Sequence, residues 1–146
     1  MRQLCEQAYP FEGCGVLIGR PAGSATEVTE VLPGANLVTD RRHDRYELDP
    51  KDIISAERRA RELGLEVVGF YHTHPDHPAR PSQYDTERAW PSYHYVVVAV
   101  ARGKLERATA WRLEPEVEPN RFGEVPLISP GGGRDYNPPG LVAEAS

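Results

Sequence analysis

Glu66-Val67-Val68-Gly69-Phe70-Tyr71-His72-Thr73-His74-Pro75, followed by Ser82 and Asp85, decides how this chain is read. Valines and aromatic residues from Glu66 to His72 predict a strand, and that strand delivers two imidazoles to its end. His72 and His74 are separated by one residue, so on a pleated strand their side chains share a face, about 7 Å apart along the backbone. Two imidazoles so placed can converge on one metal ion. Asp85, eleven residues beyond His74, offers a third ligand, with water in the fourth position. Three protein ligands and a water are the arrangement of catalytic zinc, whereas structural zinc is usually closed by four side chains rich in cysteine.

The chain has two cysteines, Cys5 and Cys14. Neither a four-cysteine cluster nor a disulfide framework can be built from them, and the usage fits a reducing compartment, so a cytoplasmic location is expected. Its 146 residues are about one domain's worth. A net charge of −5 argues against electrostatic binding to nucleic acid or to an anionic membrane, which call for a basic face, and favours a protein partner. No run approaches the ~20 apolar residues of a membrane span, and the first residues lack the apolar core of a secretory signal.

Working outward, residues 1 to 9 predict a short helix ended by Pro10, and Gly15-Val16-Leu17-Ile18-Gly19 reads as a buried strand. Thr26 to Leu32 is a second strand, and Arg45 to Leu48 a short one. Asp49 as N-cap and Pro50 at the first helical position open an amphipathic helix that Gly64 closes. Three prolines stiffen the loop from Pro75 to Pro81, and Ser82 caps a helix running to about Trp90. Asp85 at the third position of that helix has two readings, a capping-box bond back to the Ser82 amide or a metal ligand; its place opposite a strand end with two histidines favours the metal. Tyr95 to Ala101 predicts a central strand paired with Arg107 to Leu113. Past residue 114 proline, glycine and acidic residues dominate. Ser129 to Gly133 cannot hold regular structure, and a mobile tail is expected over the last ~20 residues.

His72-Thr73-His74-Pro75, then Ser82 and Asp85, resembles the His-x-His-Pro, Ser-x-x-Asp signature of the JAMM (MPN-plus) zinc metalloproteases. Pro10 to Gly19, with Glu12 ahead of Cys14-Gly15, is similar to the segment in which that family carries its catalytic glutamate. The resemblance runs from about Leu4 to Leu113. It implies an α/β fold, a mixed sheet of six to eight strands flanked by helices in the cytidine-deaminase-like sandwich of that family. It divides the chain into a JAMM/MPN domain over residues 1–115 and a Pro/Gly-rich, at least partly flexible extension over 116–146.

The same resemblance implies one Zn²⁺ per chain on His72, His74 and Asp85, Glu12 as general base and then general acid, and Ser82 as the donor that steadies the developing oxyanion. The implied reaction is hydrolysis of a peptide or isopeptide bond after the Gly-Gly end of a ubiquitin-like or sulfur-carrier protein. A non-catalytic MPN scaffold is the alternative, signalled by loss of a ligand or of the glutamate; all five residues are present. A zinc nucleoside deaminase would carry His-x-Glu and Pro-Cys-x-x-Cys, which this chain lacks. His77 in the proline loop is expected to face solvent or substrate, Arg80 to meet substrate or solvent, and His43 and His94 to be structural. Trp90 and Trp111 are expected in the core, with Cys14 a buried filler rather than a nucleophile.

Overall fold

The computed structural model describes residues 1–129, 133, 136 and 141–144. Among these residues three helices, α1 (Arg2–Ala8), α2 (Pro50–Glu62) and α3 (Gln83–Arg88), accompany eight strands. The strands are β1 (Cys14–Ala22), β2 (Ala25–Gly34), β3 (Glu66–Pro75), β4 (His94–Ala101), β5 (Lys104–Leu113), β6 (Phe122–Val125), β7 (Leu127–Ile128) and β8 (Leu141–Glu144). They form one sheet in the order β6-β5-β4-β3-β1-β2-β8-β7. Of these strands only β3 and β4 pair in parallel, and a parallel pair needs a crossover connection, which here carries α3. The sheet is mixed and flanked by helices, as the sequence predicts.

Period-two alternation divides the core between the two faces. Leu17 and Tyr71 join Cys5 of α1 on one face, while Ile18 and Phe70 join Ala56 and Ala60 of α2 on the other. Leu17 and Ile18 are wholly buried, and burying a side chain of this size is worth roughly 1.5–3 kcal/mol. Glycine permits close approach at two places in the centre. A Cβ on Gly15 would sit 2.4 Å from the Tyr71 ring, and one on Gly69 would sit 2.0 Å from the His94 carbonyl oxygen. Helix α2 starts as expected, with the Asp49 side chain accepting from the Lys51 amide and Pro50 in the first turn.

Four expectations change. Arg45 to Leu48 forms a single bridge, Leu48 to Asn36, and not a strand. Strand β3 runs through Pro75, so both histidines lie within it. Trp90 is 54% exposed, because α3 is only six residues long and ends before it; the ring leans edge-on against Phe70. Trp111 is buried as expected. The body does not end near Leu113: β6 pairs with β5, and β8 pairs with β2 while burying Leu141 and Ala143. The run Leu141-Val142-Ala143 is too short to stand out in Pro/Gly-rich surroundings, and its partner lies more than a hundred residues away. Of the Ser129 to Gly133 run, 130–132 lie outside the described residues. Among the described residues no helix is long and apolar enough to cross a membrane.

Candidate metal centre

Strand pairing sets the site. Cys14 of β1 faces His72 of β3, and the Gly13 amide donates to Thr73 Oγ1 (2.8 Å) while the Thr73 amide donates to the Gly13 carbonyl (2.9 Å). This reciprocal clamp carries Glu12, one residue further back, to the two histidines. Asn36 secures it from the other side: its Nδ2 donates to the Glu12 carbonyl (3.3 Å) and to the Arg45 carbonyl (3.1 Å). Glu12 is buried, and its Oε1 lies 3.9 Å from His74 Nε2.

His72 Nε2 and His74 Nε2 are 3.1 Å apart, and Asp85 Oδ2 lies 3.1 Å from the first and 3.3 Å from the second. A tetrahedral zinc with bonds of about 2.0–2.1 Å has ligand-to-ligand edges of about 3.3–3.4 Å. These three atoms therefore make a triangle close to one face of that tetrahedron. His74 Nδ1 lies 2.9 Å from the Pro78 carbonyl; a carbonyl can only accept, so Nδ1 carries the proton and the Nε2 lone pair is left for a metal. Glu12, His72 and His74 also bring ligand atoms within 4.8 Å of one another. That set is looser, since Asp85 is nearer to both histidines than Glu12 is to His74.

The capping reading of Asp85 is met, and the same carboxylate lies beside the histidines. Its Oδ2 accepts from the Ser82 amide (2.8 Å) while Ser82 Oγ accepts from the Asp85 amide (3.0 Å), a capping box at the start of α3. The oxygen that caps the helix is the one facing the histidines.

Burial pushes the Glu12 carboxyl up to about 8, against a partly offsetting pull from His74. Burial likewise lowers His72. Burial works against charge on His74 too, but Asp85, the Pro78 carbonyl and Glu12 outweigh it and shift that ring up. Asp85 feels burial as well, yet the two histidines and the Ser82 amide hold it well below the usual carboxylate range. Burial, with Glu12 adding to it, drives the Cys14 thiol up to about 12, so it is a filler and not a nucleophile.

Two buried atoms of the site have no hydrogen-bond partner among the described residues, Glu12 Oε2 and His72 Nδ1. Ligating histidines commonly fix their second nitrogen by a hydrogen bond. His72 is instead stacked on Tyr46, with centroids 4.5 Å apart and planes 19° apart. Tyr46, Asn36 and the Thr73 hydroxyl are contributors that sequence reasoning misses, and none carries a local signal. A groove of about 540 Å³ opens over Glu12 and His74, lined by Arg41 and 43–45 together with residues between His77 and Tyr84. His77, Arg80 and Ser82 line it, as does the exposed His43, whereas His94 is buried in the sheet.

The profile of the family described as prokaryotic homologs of the JAB domain matches residues 1–114. Desampylase of Haloferax volcanii is 42% identical over 89 residues, 60% of this chain and 62% of the relative. A probable TtuB-protein conjugate cleaving protease of Thermus thermophilus is 34% identical over 88 residues, 60% of this chain and 55% of the relative. The chain thus spans less than two thirds of the length of these curated relatives. A solution structure of a protein from Salinibacter ruber is 41% identical and superposes with a TM-score of 0.65, covering 86% of this chain and 82% of that one. With the match running from α1 through Glu12, both histidines and α3 to the end of β5, the chain belongs to the family of prokaryotic homologs of the JAB domain.

Proposed function

We propose that this chain is a zinc-dependent hydrolase that cleaves the peptide or isopeptide bond after the Gly-Gly end of a ubiquitin-like or sulfur-carrier protein. The observation that carries the reading is the triangle of His72 Nε2, His74 Nε2 and Asp85 Oδ2, with 3.1–3.3 Å sides and a buried carboxylate beside it. The substrate class rests on relatives named for cleaving such conjugates. We place the hydrolase in the cytoplasm, its catalytic groups within 1–115.

His72, His74 and Asp85 would hold the metal, and all five groups that a scaffold protein would be expected to lose in part are present. Bound zinc supplies a Lewis acid that acidifies water and polarises an amide carbonyl. Glu12 is poised for proton transfer: a carboxyl raised to about 8 by burial is a strong enough base to take a proton from attacking water and a strong enough acid to return it to the leaving amine. Its free Oε2 lies buried in the wall of the groove. Ser82 Oγ accepts from the Asp85 amide, which leaves its own proton to donate to the oxygen that gains charge.

A mass-spectrometric time course tests the reading, using zinc-loaded protein and a panel of diglycine-tailed carriers extended by one residue or a short peptide. Cleavage after Gly-Gly that a chelator stops and added zinc restores is the expected result. Failure to cut any member, with one zinc bound per chain, would reject it.

Ser82→Ala separates two roles of one side chain. Loss of the oxyanion donor is expected to lower kcat roughly 10²–10³-fold, and loss of the cap to cost about 1 kcal/mol, a few degrees in Tm. Zinc content stays unchanged. A fall in Tm with kcat intact would leave Ser82 a cap and nothing more.

A further inference from the structure

The walls of the groove carry a charge opposite to that of the chain as a whole. Net charge is −5, yet Arg45 and Arg80 both line the groove, with His43 and His77 beside them. Two carboxylates line the same groove. Glu12 is the buried group of the site, and Asp44 is ion-paired with Arg41. Among the described residues no carboxylate pairs with Arg45 or Arg80.

Arg45 is also held in place. Its guanidinium lies 4.0 Å from the centre of the Tyr84 ring, and Arg88 lies 4.6 Å from the same centre. A stacked guanidinium uses its face on the ring and keeps its in-plane N–H donors free, the geometry that takes a carboxylate in two parallel hydrogen bonds.

We propose that this groove mouth binds an acidic stretch of the protein whose tail enters the site, with Arg45 and Arg80 taking its carboxylates. The proposal rests on the hydrolase reading for the identity of its occupant as a polypeptide. Glu12 and His74 line the same groove as the two arginines, so aspartates or glutamates a few residues upstream of a cleavable end come within reach of them. Nucleic acid is the weaker fit, because the chain as a whole is acidic, with a net charge of −5.

Fluorescence anisotropy of the full chain tests it, with labelled peptides of equal length ending in Gly-Gly-amide and carrying acidic, neutral or basic residues upstream. The acidic peptide is expected to bind at least roughly tenfold tighter than the neutral one at low salt, with the margin shrinking as salt rises. Reversing both charges, Arg45→Glu with Arg80→Glu, is expected to transfer the preference to the basic peptide; Arg45→Gln with Arg80→Gln abolishes it and serves if the reversal disturbs folding. Equal affinity for acidic and neutral peptides, or a preference that survives both double variants, would overturn the proposal. An oligo-thymidine binding as tightly as the acidic peptide would overturn it in favour of nucleic acid. Binding requires no turnover, so the anisotropy decides what the mouth prefers even for an enzyme that cuts none of these peptides, and the two readings fail separately.

Discussion

Glu12→Gln is expected to lower turnover of a diglycine-tailed substrate by roughly 10²–10⁴-fold, the usual worth of a positioned acid–base group, while zinc content stays at that of the parent. Glutamine keeps the volume and the main-chain contacts at Asn36 and Arg42; only the proton carrier is lost. The same variant alters stability of the metal-free protein in a direction that can be derived. The folded carboxyl titrates near 8 and its ordinary value is 4.5, so the folded state binds the proton more tightly. That contribution is fully present below about pH 4.5 and is lost as pH rises through about 8. Metal-free Glu12→Gln, which has no charge to bury, is therefore expected to melt above the parent at pH 8, by on the order of 5 °C, and to lose that advantage toward pH 5. Calorimetry across this range with a chelator present makes the comparison. Retention of more than about a tenth of parental turnover would remove Glu12 from the proton-transfer role.

Asp85→Asn addresses the other half of the site. An asparagine Oδ1 still accepts from the Ser82 amide, so α3 keeps its cap, but the negative charge between the histidines is gone. Altering even an outer partner of a metal ligand costs 10–100-fold in affinity; loss of the ligand itself is expected to exceed about 100-fold, with hydrolysis falling to background and far-UV circular dichroism unchanged. Competition with a chromogenic chelator measures the affinity. The two variants together decide between the tight triangle and the looser set of Glu12 with both histidines. If zinc survives Asp85→Asn and is lost in Glu12→Gln, Glu12 is the ligand and the triangle does not hold the metal.

The histidine pair is legible in the sequence because its signal is local: a period of two on a valine-rich strand puts both rings on one face whatever the rest of the chain does. Asp85 is legible for a different reason, since a Ser82 cap fixes where the third residue of the helix points. Glu12 is sixty residues from His72, and nothing in its surroundings marks it; only the family resemblance finds it. What brings it to the histidines is the Gly13–Thr73 clamp between β1 and β3, a pairing that no local pattern encodes. Tyr46 escapes notice on the same ground, as its value lies in the ring of His72 stacked against it. Trp90 is misplaced when apolar character is read as burial, because its position just past a six-residue helix leaves half of it in solvent. The sheet beyond Leu113 is hidden by composition: prolines and glycines surround three short strands, and the partner of β8 is distant in sequence.

Strand β8 also places a timing demand on the growing chain. Val28 pairs with Leu141 and Ala25 with Glu144, so a ribosome adding about 5–20 residues per second needs on the order of ten seconds after making β2 before the covering strand exists. Throughout that interval the backbone groups of β2 that will pair with β8 are open, a template for pairing with any extended segment nearby. Glu27 and Glu30 interrupt the apolar run of β2 with charge, the kind of gatekeeping that keeps an uncovered edge from recruiting a neighbouring nascent chain.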